Sequence, residues 1–245
     1  MIIAIDGPAA AGKSTSAKLL AEKLNFLYLD TGAMYRCIAL SVIEDKIDIY
    51  DESSQKDFIS SFNLELKTVD GAPDFLVNGN SVTKKIRTTA ISKKVSEISA
   101  IPAIREYMVT LQRSFAKNNN CVVEGRDIGT VVFPEAEIKF FIIASVEVRA
   151  KRRKLELQNI GETISLKELR RDIKARDKYD SERSHSPLKK AINAIQIDTT
   201  EMNIDEQVNC MIKNVKLKRP SNNTKYDDLE YDIDSEIILS NTYHL

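Results

Sequence analysis

A glycine-rich segment near the amino terminus, "GPAAAGKST" at residues 7–15, has the spacing of a phosphate-binding loop. Gly7, Gly12, Lys13 and Ser14 satisfy the pattern G-x-x-x-x-G-K-[ST]. In such a loop, backbone N–H groups converge on phosphate oxygens, the lysine bridges the terminal phosphates, and the hydroxyl can ligate Mg²⁺. The segment predicts a nucleotide site, but it does not identify the group that accepts a phosphoryl from that nucleotide.

Arginines in four later segments indicate where a second anion would bind. Arg36 ends "DTGAMYR", Arg105 lies in "AIRE", Arg126 lies in "EGRD", and "RDKYDSER" contains Arg176 and Arg183. Phosphoryl transfer needs positive charge around the phosphate oxygens more than covalent help from the protein. A phosphate monoester is mostly dianionic at neutral pH, so as an acceptor it needs cations to overcome repulsion rather than a general base. The arginines therefore favour an acceptor that is itself a phosphate.

The last of these segments allows two interpretations. Arg176, Asp180 and Arg183 are spaced i, i+4, i+7, which would place them on one helical face if the helix continues that far. Such a face could bind a phosphate through its arginines and ribose hydroxyls through its carboxylate. It could equally be an exposed face of salt bridges. The spacing leaves both interpretations open.

Five short apolar runs predict the strands that must position these residues. The runs are continuous, and stretches with helical spacing separate them, which is typical of a parallel sheet covered on both faces by helices. We therefore predict an α/β fold. Because ligands of open parallel sheets bind beyond the carboxyl ends of the strands, we expect Arg36 and Arg126 to face the loop. The runs are residues 2–5, 26–29, 121–123, 138–143 and 194–197.

Helical spacing follows the loop, and other patterns lie outside the predicted core. Ala17, Leu20, Ala21 and Leu24 predict a helix with one buried face. Residues 64–82 alternate apolar and polar positions around turn signals, which predicts a small antiparallel insert.

Two charged segments follow. Lys and Arg outnumber Asp and Glu between residues 149 and 183, which predicts a basic helical region. In residues 218–245, Pro220 precedes a cluster of acidic residues. We expect this last segment to be an appendage that is partly disordered.

Composition limits the class of protein further. The 245 residues are 42% hydrophobic, and 36 basic residues balance 36 acidic ones, so no global field favours nucleic acid or an anionic membrane. The three cysteines lie far apart without a CxxC pair, which argues against a disulfide framework and a zinc cluster. No apolar run is long enough to span a bilayer. We expect a cytoplasmic monomer that binds neither nucleic acid nor membrane.

At these motifs the chain resembles the bacterial-type cytidylate kinases, which are P-loop nucleoside monophosphate kinases. "IAIDGPAAAGKST", "LDTGAMYR", "EGRDIGTVVFPEA" and "RDKYDSERSHSPL" match in order, and the resemblance covers about residues 1–217. It implies a P-loop kinase fold with a five-stranded parallel sheet. It also implies a small antiparallel insert for the nucleoside monophosphate at about residues 62–100, and a helical lid at about residues 149–183. The implied reaction is transfer of the γ-phosphoryl of ATP to CMP or dCMP with Mg²⁺.

The resemblance also implies roles for individual residues. The cytosine contacts fall on Ser96, Arg105 and Asp127, and the ribose contacts on Arg176 and Asp180. The acceptor phosphate would be bound by Arg36, Arg126 and Arg183. Thr31, where many members have serine, is a further implied CMP-binding residue. The residues implied for catalysis are Lys13, Arg126, Arg153 and Arg183. The donor loop comprises Gly7, Pro8, Ala9, Ala10, Ala11, Gly12, Lys13, Ser14 and Thr15, with Ser14 as the Mg²⁺ ligand.

Simpler interpretations accompany several of these residues. Ser96 could be a solvated helix serine, and Asp127 could pair with Arg126 or cap a turn. Tyr35 reads as a packing residue, and Tyr179, where some members carry a basic lid residue, could weaken lid closure. The residues interpreted only as solvating a helix, and left out of the site, are Arg149 and Arg152.

Two other functions stay open at this point. One is a kinase of a small metabolite with a hydroxyl acceptor, which would use a carboxylate such as Asp127 as the base. The other is a nucleotide-dependent switch or binding module without any acceptor.

Overall fold

A computed structural model describes residues 1–69 and 72–218. The predicted turn at residues 70–71 and the predicted appendage beyond residue 218 lie outside the described residues. In chain order, the described strands are β1 (Ile2–Asp6), β2 (Leu27–Asp30), β3 (Leu64–Val69), β4 (Ala72–Val77), β5 (Asn80–Ser81), β6 (Cys121–Gly125), β7 (Ile138–Ile143) and β8 (Ile195–Asp198). The described α-helices are α1 (Lys13–Leu24), α2 (Thr31–Glu44), α3 (Glu52–Ser61), α4 (Thr89–Ile98), α5 (Pro102–Ala116), α6 (Val146–Gln158), α7 (Leu166–Glu182) and α8 (Ile204–Lys218).

Five strands form one parallel sheet in the order β2-β6-β1-β7-β8. This sheet confirms the α/β prediction and the five predicted strands, although several strands extend further toward their carboxyl ends than the apolar runs do. The added residues are charged or small, such as Asp6, Asp30 and Glu124. An apolar pattern misses them because a carboxylate can end a strand where the strand meets a functional edge.

Apolar side chains cover both faces of this sheet. On one face, α1 and α8 pack through a cluster that includes Leu20 and Met211. The predicted face of α1 is confirmed, because all four of its apolar positions are buried. On the other face, α2, α4 and α5 contribute residues such as Met34, Ile98 and Met108 to a second cluster. The sheet is therefore enclosed, and its polar groups are concentrated at the strand ends.

The predicted antiparallel insert is confirmed as the sheet β3-β4-β5. Leu64, Phe75 and Val77 are buried and join the second cluster, as their alternation predicts. Asn78 and Gly79 form the turn between β4 and β5 with φ angles of 48° and 80°. Two successive positive φ angles suit the Asn-Gly pair of a tight hairpin.

The basic helical region consists of α6 and α7, which pack through a small separate cluster that includes Leu157 and Leu169. Ser165 and Glu168 form a reciprocal capping box at the start of α7. The helix ends at Glu182, and Arg183 has an extended backbone with ψ of 141°. The predicted face therefore includes Arg176 and Asp180 within the helix, whereas Arg183 lies just beyond it.

The three thiols, of Cys37, Cys121 and Cys210, are free. Burial raises the pKa of Cys37 to about 12 and that of Cys121 to about 11, so these two thiols are unreactive at neutral pH. In residues 1–69 and 72–218, no helix has the length and apolar character needed to cross a membrane.

Phe140 tests how far the central sheet determines stability. It lies in β7, is 1% exposed and packs in the cluster beneath α1 and α8. We expect Phe140→Ala to lower the free energy of unfolding by about 3 to 5 kcal/mol, because it removes a large buried side chain and leaves a cavity. Urea unfolding measures the change. Ile192→Ala, at a fully exposed side chain, is the control and should cost less than about 0.5 kcal/mol; a similar cost for both variants would contradict the prediction.

Candidate active site

A cavity of about 510 Å³ lies at the carboxyl ends of β1, β2 and β6. The phosphate loop forms one wall, and residues from α2, α4 and the α6–α7 pair form the others. The structure brings most of the predicted site residues together around this space. They are Ala9, Ala10, Gly12, Lys13, Ser14, Thr15, Thr31, Arg36, Ser96, Arg105, Arg126, Asp127, Arg153, Arg176, Asp180 and Arg183.

Three predicted loop residues do not line the cavity and instead shape the loop. A Cβ on Gly7 would lie 2.0 Å from the backbone oxygen of Ile142, so only glycine allows this close approach. Ala11 is fully buried, and the carbonyl of Pro8 accepts a hydrogen bond from Lys13 Nζ at 2.7 Å. The prediction that these residues contact ATP stays untested.

The loop leads directly into α1, with Gly12 at the N-cap in a left-handed conformation (φ 95°). No side chain caps this end of the helix. The first N–H groups of a helix lack intrahelical acceptors and carry partial positive charge. The start of α1 is therefore suited to bind an anion such as a phosphate.

Lys13 has an unusual charge state for a lysine. Burial lowers its pKa to about 7, and repulsion by Arg126 adds to the effect, whereas Glu124 and Asp6 oppose it. The charged form of Lys13 is thus disfavoured mainly by its burial. An anionic ligand would raise the pKa and restore the charge.

Glu124, near the end of β6, is a site residue that the sequence analysis missed. Its carboxylate accepts hydrogen bonds from the hydroxyls of Ser14, at 3.0 Å, and of Tyr28. Burial raises the pKa of Glu124, and the neighbouring carboxylate of Asp30 adds to this shift. The available signal was its place in "EGRD", where a carboxylate follows an apolar run.

One buried carboxylate holds two of the predicted arginines. Asp180 accepts from Arg126 Nε at 3.0 Å and lies 3.9 Å from Arg176 Nε. Burial alone would raise the pKa of Asp180, but Arg126 and Arg176 outweigh it and the pKa is lowered. Burial, together with the charge of Arg126, lowers the pKa of Arg176 to about 10. The interpretation of this segment as an exposed face of salt bridges is therefore wrong.

A second buried carboxylate, Asp127, pairs with Arg105 and lies 3.9 Å from Arg183 Nη2. Neither simpler interpretation of Asp127 holds, because its partner is not Arg126 and its side chain caps no helix. Burial and the charge of Arg105 lower the pKa of Arg183, although Asp127 opposes the shift.

Tyr35, interpreted from sequence as packing, also takes part in this network. Its hydroxyl accepts from Arg105 Nη1 at 3.3 Å, and burial raises its pKa to about 12. Ser96 is half-buried at the cavity wall. Thr31 donates its hydroxyl to the carbonyl of Glu124 at 2.7 Å, and Arg36 Nη2 pairs with Asp30 at 3.1 Å.

Arg149 and Arg152 do more than solvate a helix, so that interpretation is wrong. Arg149 is buried, pairs with both carboxylate oxygens of Asp177 at 2.7 and 2.9 Å, and donates to the loop carbonyl of Ala9 at 3.3 Å. Arg152 donates to the carbonyl of Ala11 at 3.3 Å. The two arginines therefore tie α6 to the phosphate loop. A run of basic residues does not reveal which of its members turn inward.

Arg153, the predicted lid arginine, lies next to these two residues and lines the cavity. Its Nη1 group pairs with Glu156 on the same helix at 3.0 Å. Tyr179 also lines the cavity and is 41% exposed.

Several arginine N–H groups around the cavity are buried without a hydrogen-bond partner among the described residues. They belong to Arg36 (Nε), Arg105 (Nε), Arg176 (Nε) and Arg183 (Nη2). Leaving a buried donor unpaired is costly, so native proteins satisfy nearly all of them. Phosphate oxygens would satisfy these groups, because guanidinium N–H groups match their charge and geometry.

A phosphate loop after the first strand of a parallel sheet, in one cavity with a cluster of mostly half-buried arginines, defines a P-loop kinase with two anionic substrates. Sequence comparison identifies the family: the cytidylate kinase model matches residues 3–217, and the chain belongs to that family. A cytidylate kinase of Lactobacillus gasseri is 49% identical over 208 residues, which are 85% of this chain and 90% of that protein. One of Halalkalibacterium halodurans is 47% identical over 216 residues, 88% and 97% of the two chains.

Among solved structures, a shikimate kinase from Bacteroides thetaiotaomicron has a TM-score of 0.47 and 14% sequence identity. The match covers 88% of this chain and 98% of that one. A likeness this distant does not bear on the substrate.

The lowered pKa of Lys13 predicts that ATP binding takes up a proton. At pH 8 the free lysine is mostly neutral, and the bound phosphates raise its pKa, so binding should take up about one proton. Above pH 7, affinity should fall by up to about tenfold per pH unit. Calorimetry in buffers of different ionisation enthalpy measures the uptake.

Lys18→Met, at an exposed lysine of α1, is the control and should keep the uptake. ATP binding without proton uptake at pH 8 would contradict the prediction.

Proposed function

We propose that this chain transfers the γ-phosphoryl of ATP to CMP and dCMP, giving ADP and CDP or dCDP. Membership of the cytidylate kinase family supports the reaction. The single observation that supports a phosphate as acceptor is that Arg36 and Arg183 carry buried N–H groups without a hydrogen-bond partner among the described residues and line the same cavity as the phosphate loop. A hydroxyl acceptor would leave these donors without oxygens.

On the donor side, the loop residues 7–15 hold the triphosphate of ATP. The start of α1 directs N–H groups at the phosphates, and Lys13 neutralises the bridging and terminal oxygens. Lys13 is already held at this place by the carbonyl of Pro8, so it needs little rearrangement. Preorganised charge of this kind lowers the barrier, because it is in place before negative charge moves during transfer.

Mg²⁺ fits the same side of the site. Ser14 and Glu124 offer oxygen groups, which this hard cation prefers. Within residues 1–69 and 72–218, no group of three or more His, Cys, Asp or Glu side chains is arranged to hold a metal. A bound Mg²⁺ would therefore take Ser14, donor phosphates and water as ligands, with Glu124 beside them. When bound, it would neutralise charge on the donor phosphates.

On the acceptor side, Arg36, Arg126 and Arg183 bind the phosphate of CMP. Asp30, Asp180 and Asp127 respectively lie against these arginines. The carboxylates orient the guanidinium groups and keep the cluster of like charges stable without substrate. The acceptor phosphate is dianionic near neutral pH and attacks without a general base.

Two subsites recognise the nucleoside. Asp180 and Arg176 meet the ribose hydroxyls, and Ser96, Arg105 and Asp127 meet the edge of cytosine. The carboxylate of Asp127 would accept from the exocyclic amine of cytosine, whereas uracil presents a carbonyl there and would be repelled. Arg105 orients the Asp127 carboxylate for this contact.

The segment at about residues 149–183 acts as a lid, and the insert at about residues 62–100 holds the nucleoside monophosphate. Arg153 lines the cavity beside the phosphate loop, so it is placed to contact the donor phosphates when the lid closes. Closure excludes water, which would otherwise compete with CMP for the phosphoryl group.

We also propose that the chain acts as a monomer in the cytoplasm. All residues assigned to the two substrates come from one chain. The three free thiols fit a reducing compartment.

A panel of acceptors tests the reaction. With ATP and Mg²⁺, coupled assays should show rapid turnover of CMP and dCMP and slow turnover of UMP and AMP, because only cytosine offers an amine to Asp127. Cytidine, which lacks the phosphate, should be inactive.

Other results on the same panel identify the rival functions. UMP or AMP turned over as fast as CMP would contradict the base assignment. Activity on cytidine would favour a hydroxyl acceptor, and ATP binding without transfer to any acceptor would favour a switch.

Asp127→Asn tests base recognition directly. The amide has nearly the shape of the carboxylate but loses its charge, so kcat/KM for CMP should fall by about a hundredfold or more. The value for UMP should fall much less, and the KM for ATP should stay unchanged. Asp172→Asn, at an exposed carboxylate that also lines the cavity, should keep the CMP preference. An equal loss for CMP and UMP in Asp127→Asn would contradict the proposed contact.

A further inference from the structure

Asp6 is a buried carboxylate to which neither substrate site assigns a role. It ends β1 directly before the phosphate loop and is 3% exposed. Both of its oxygens accept backbone hydrogen bonds from a distant segment. Oδ1 accepts from the N–H of Ile128 at 2.7 Å, and Oδ2 accepts from the N–H of Gly129 at 2.8 Å. Asp127, the proposed cytosine contact, immediately precedes these two residues.

We propose that Asp6 is a positioning residue for acceptor-base selection: its carboxylate holds the turn that follows Asp127 and thereby fixes where the Asp127 side chain lies. The inference rests on the proposed function, because it deepens the account of how CMP is chosen. It also links the two substrates, since Asp6 is bonded along the chain to the first glycine of the donor loop.

The turn depends on an external acceptor. Ile128–Val132 form a short helical turn, and the N–H groups of Val131 and Val132 bond to the carbonyl of Asp127 at 2.8 and 3.2 Å. The first N–H groups of such a turn have no acceptor within it, and the side chain of Asp127 does not cap them. Asp6, at the end of β1, accepts from the N–H groups of Ile128 and Gly129 in place of a local cap.

Outside the turn itself, the described contacts of Asp127 are made by its side chain. Arg105 and Arg183 attract the carboxylate, and they are themselves assigned to substrates. A turn free to shift would allow the carboxylate to follow its arginines away from the base. Arg113 holds the far end of the turn through the carbonyls of Val131 and Val132, at 3.0 and 2.9 Å. Asp6 anchors the backbone next to Asp127 to the central strand of the sheet.

The two backbone hydrogen bonds that Asp6 accepts require a carboxylate. Burial raises the pKa of Asp6 to about 6, with hydrogen bonds from Gly129 and Ile128 opposing the shift, so the group is ionised at pH 7.5. An ionised carboxylate accepts with both oxygens, whereas an asparagine offers one oxygen and places an amide N–H against a backbone N–H. Asp6→Asn therefore removes one of the two hydrogen bonds with almost no change in side-chain volume.

The test measures kcat/KM for CMP and for UMP, together with the KM for ATP, in the full chain at pH 7.5. We expect Asp6→Asn to lower the CMP to UMP ratio of kcat/KM by about tenfold or more, the size of effect associated with a hydrogen bond to a charged group. The KM for ATP should change by less than about twofold. Loss of activity with an unchanged ratio would overturn the proposal, because a merely structural role would affect both acceptors equally.

Two further variants keep the test decisive. Asp51→Asn removes a carboxylate that accepts the backbone N–H of Ser54 at 2.7 Å, outside the site, and should leave the ratio at the wild-type value. If Asp6→Asn fails to fold, Gly129→Ala replaces it. The added Cβ would lie 3.1 Å from Lys139 Cδ and 3.4 Å from Asp6 Oδ2, so it crowds the contact between the turn and Asp6 while the sequence of β1 and the loop stays unchanged. A lowered ratio supports the proposal, and an unchanged ratio overturns it.

The wild-type enzyme separates this proposal from the one on which it rests. Turnover of CMP and UMP at equal rates by the wild type would contradict the proposed function itself. A clear preference for CMP that survives in Asp6→Asn would overturn only the role of Asp6.

Discussion

Repulsion between two phosphate groups is the constraint on which the rest of this site depends. Bringing a triphosphate against a phosphate monoester requires several cations in one enclosed space, and buried cations are themselves unstable without partners. The chain solves this by sharing carboxylates between arginines. Asp180 holds Arg126 and lies beside Arg176, whereas Asp127 pairs with Arg105 and lies near Arg183. Each carboxylate stabilises the cluster, and some arginine N–H groups are left without a hydrogen-bond partner among the described residues.

The parallel sheet determines where these charges can meet. In its register, Asp6 lies opposite Gly125 and Asp30 lies opposite Glu124, so neighbouring strands bring carboxylates to a common edge. Burial disfavours the charged form of these carboxylates and raises the pKa of both Asp6 and Glu124, and a neighbouring carboxylate adds to each shift. Lys13 and the backbone N–H groups at the same edge compensate for this cost. The order and register of the strands therefore determine which charged groups meet at the site.

How much of this could be predicted depends on how local the signal is. The phosphate loop and the apolar strands were predictable, because the residues that define them are contiguous. Glu124 was missed because its partner Ser14 is 110 residues away, and Arg149 was dismissed because its partner Ala9 is 140 residues away. Arg183 was assigned to a helical face by spacing, but spacing does not show where a helix ends. Contacts across the chain follow from packing, which periodicity does not encode.

The hydrogen bonds of Arg149 and Arg152 to the phosphate loop also constrain how the site can close. These arginines bind carbonyls of the phosphate loop, so the first half of α6 is tied to the donor side. Asp177 extends the connection to α7, which carries Arg176 and leads to Arg183 on the proposed acceptor side. A movement of α7 relative to the loop must therefore break the pair between Arg149 and Asp177 or carry α6 along with it. The arginines proposed to hold the acceptor are thus coupled through these ion pairs to the loop proposed to hold the donor.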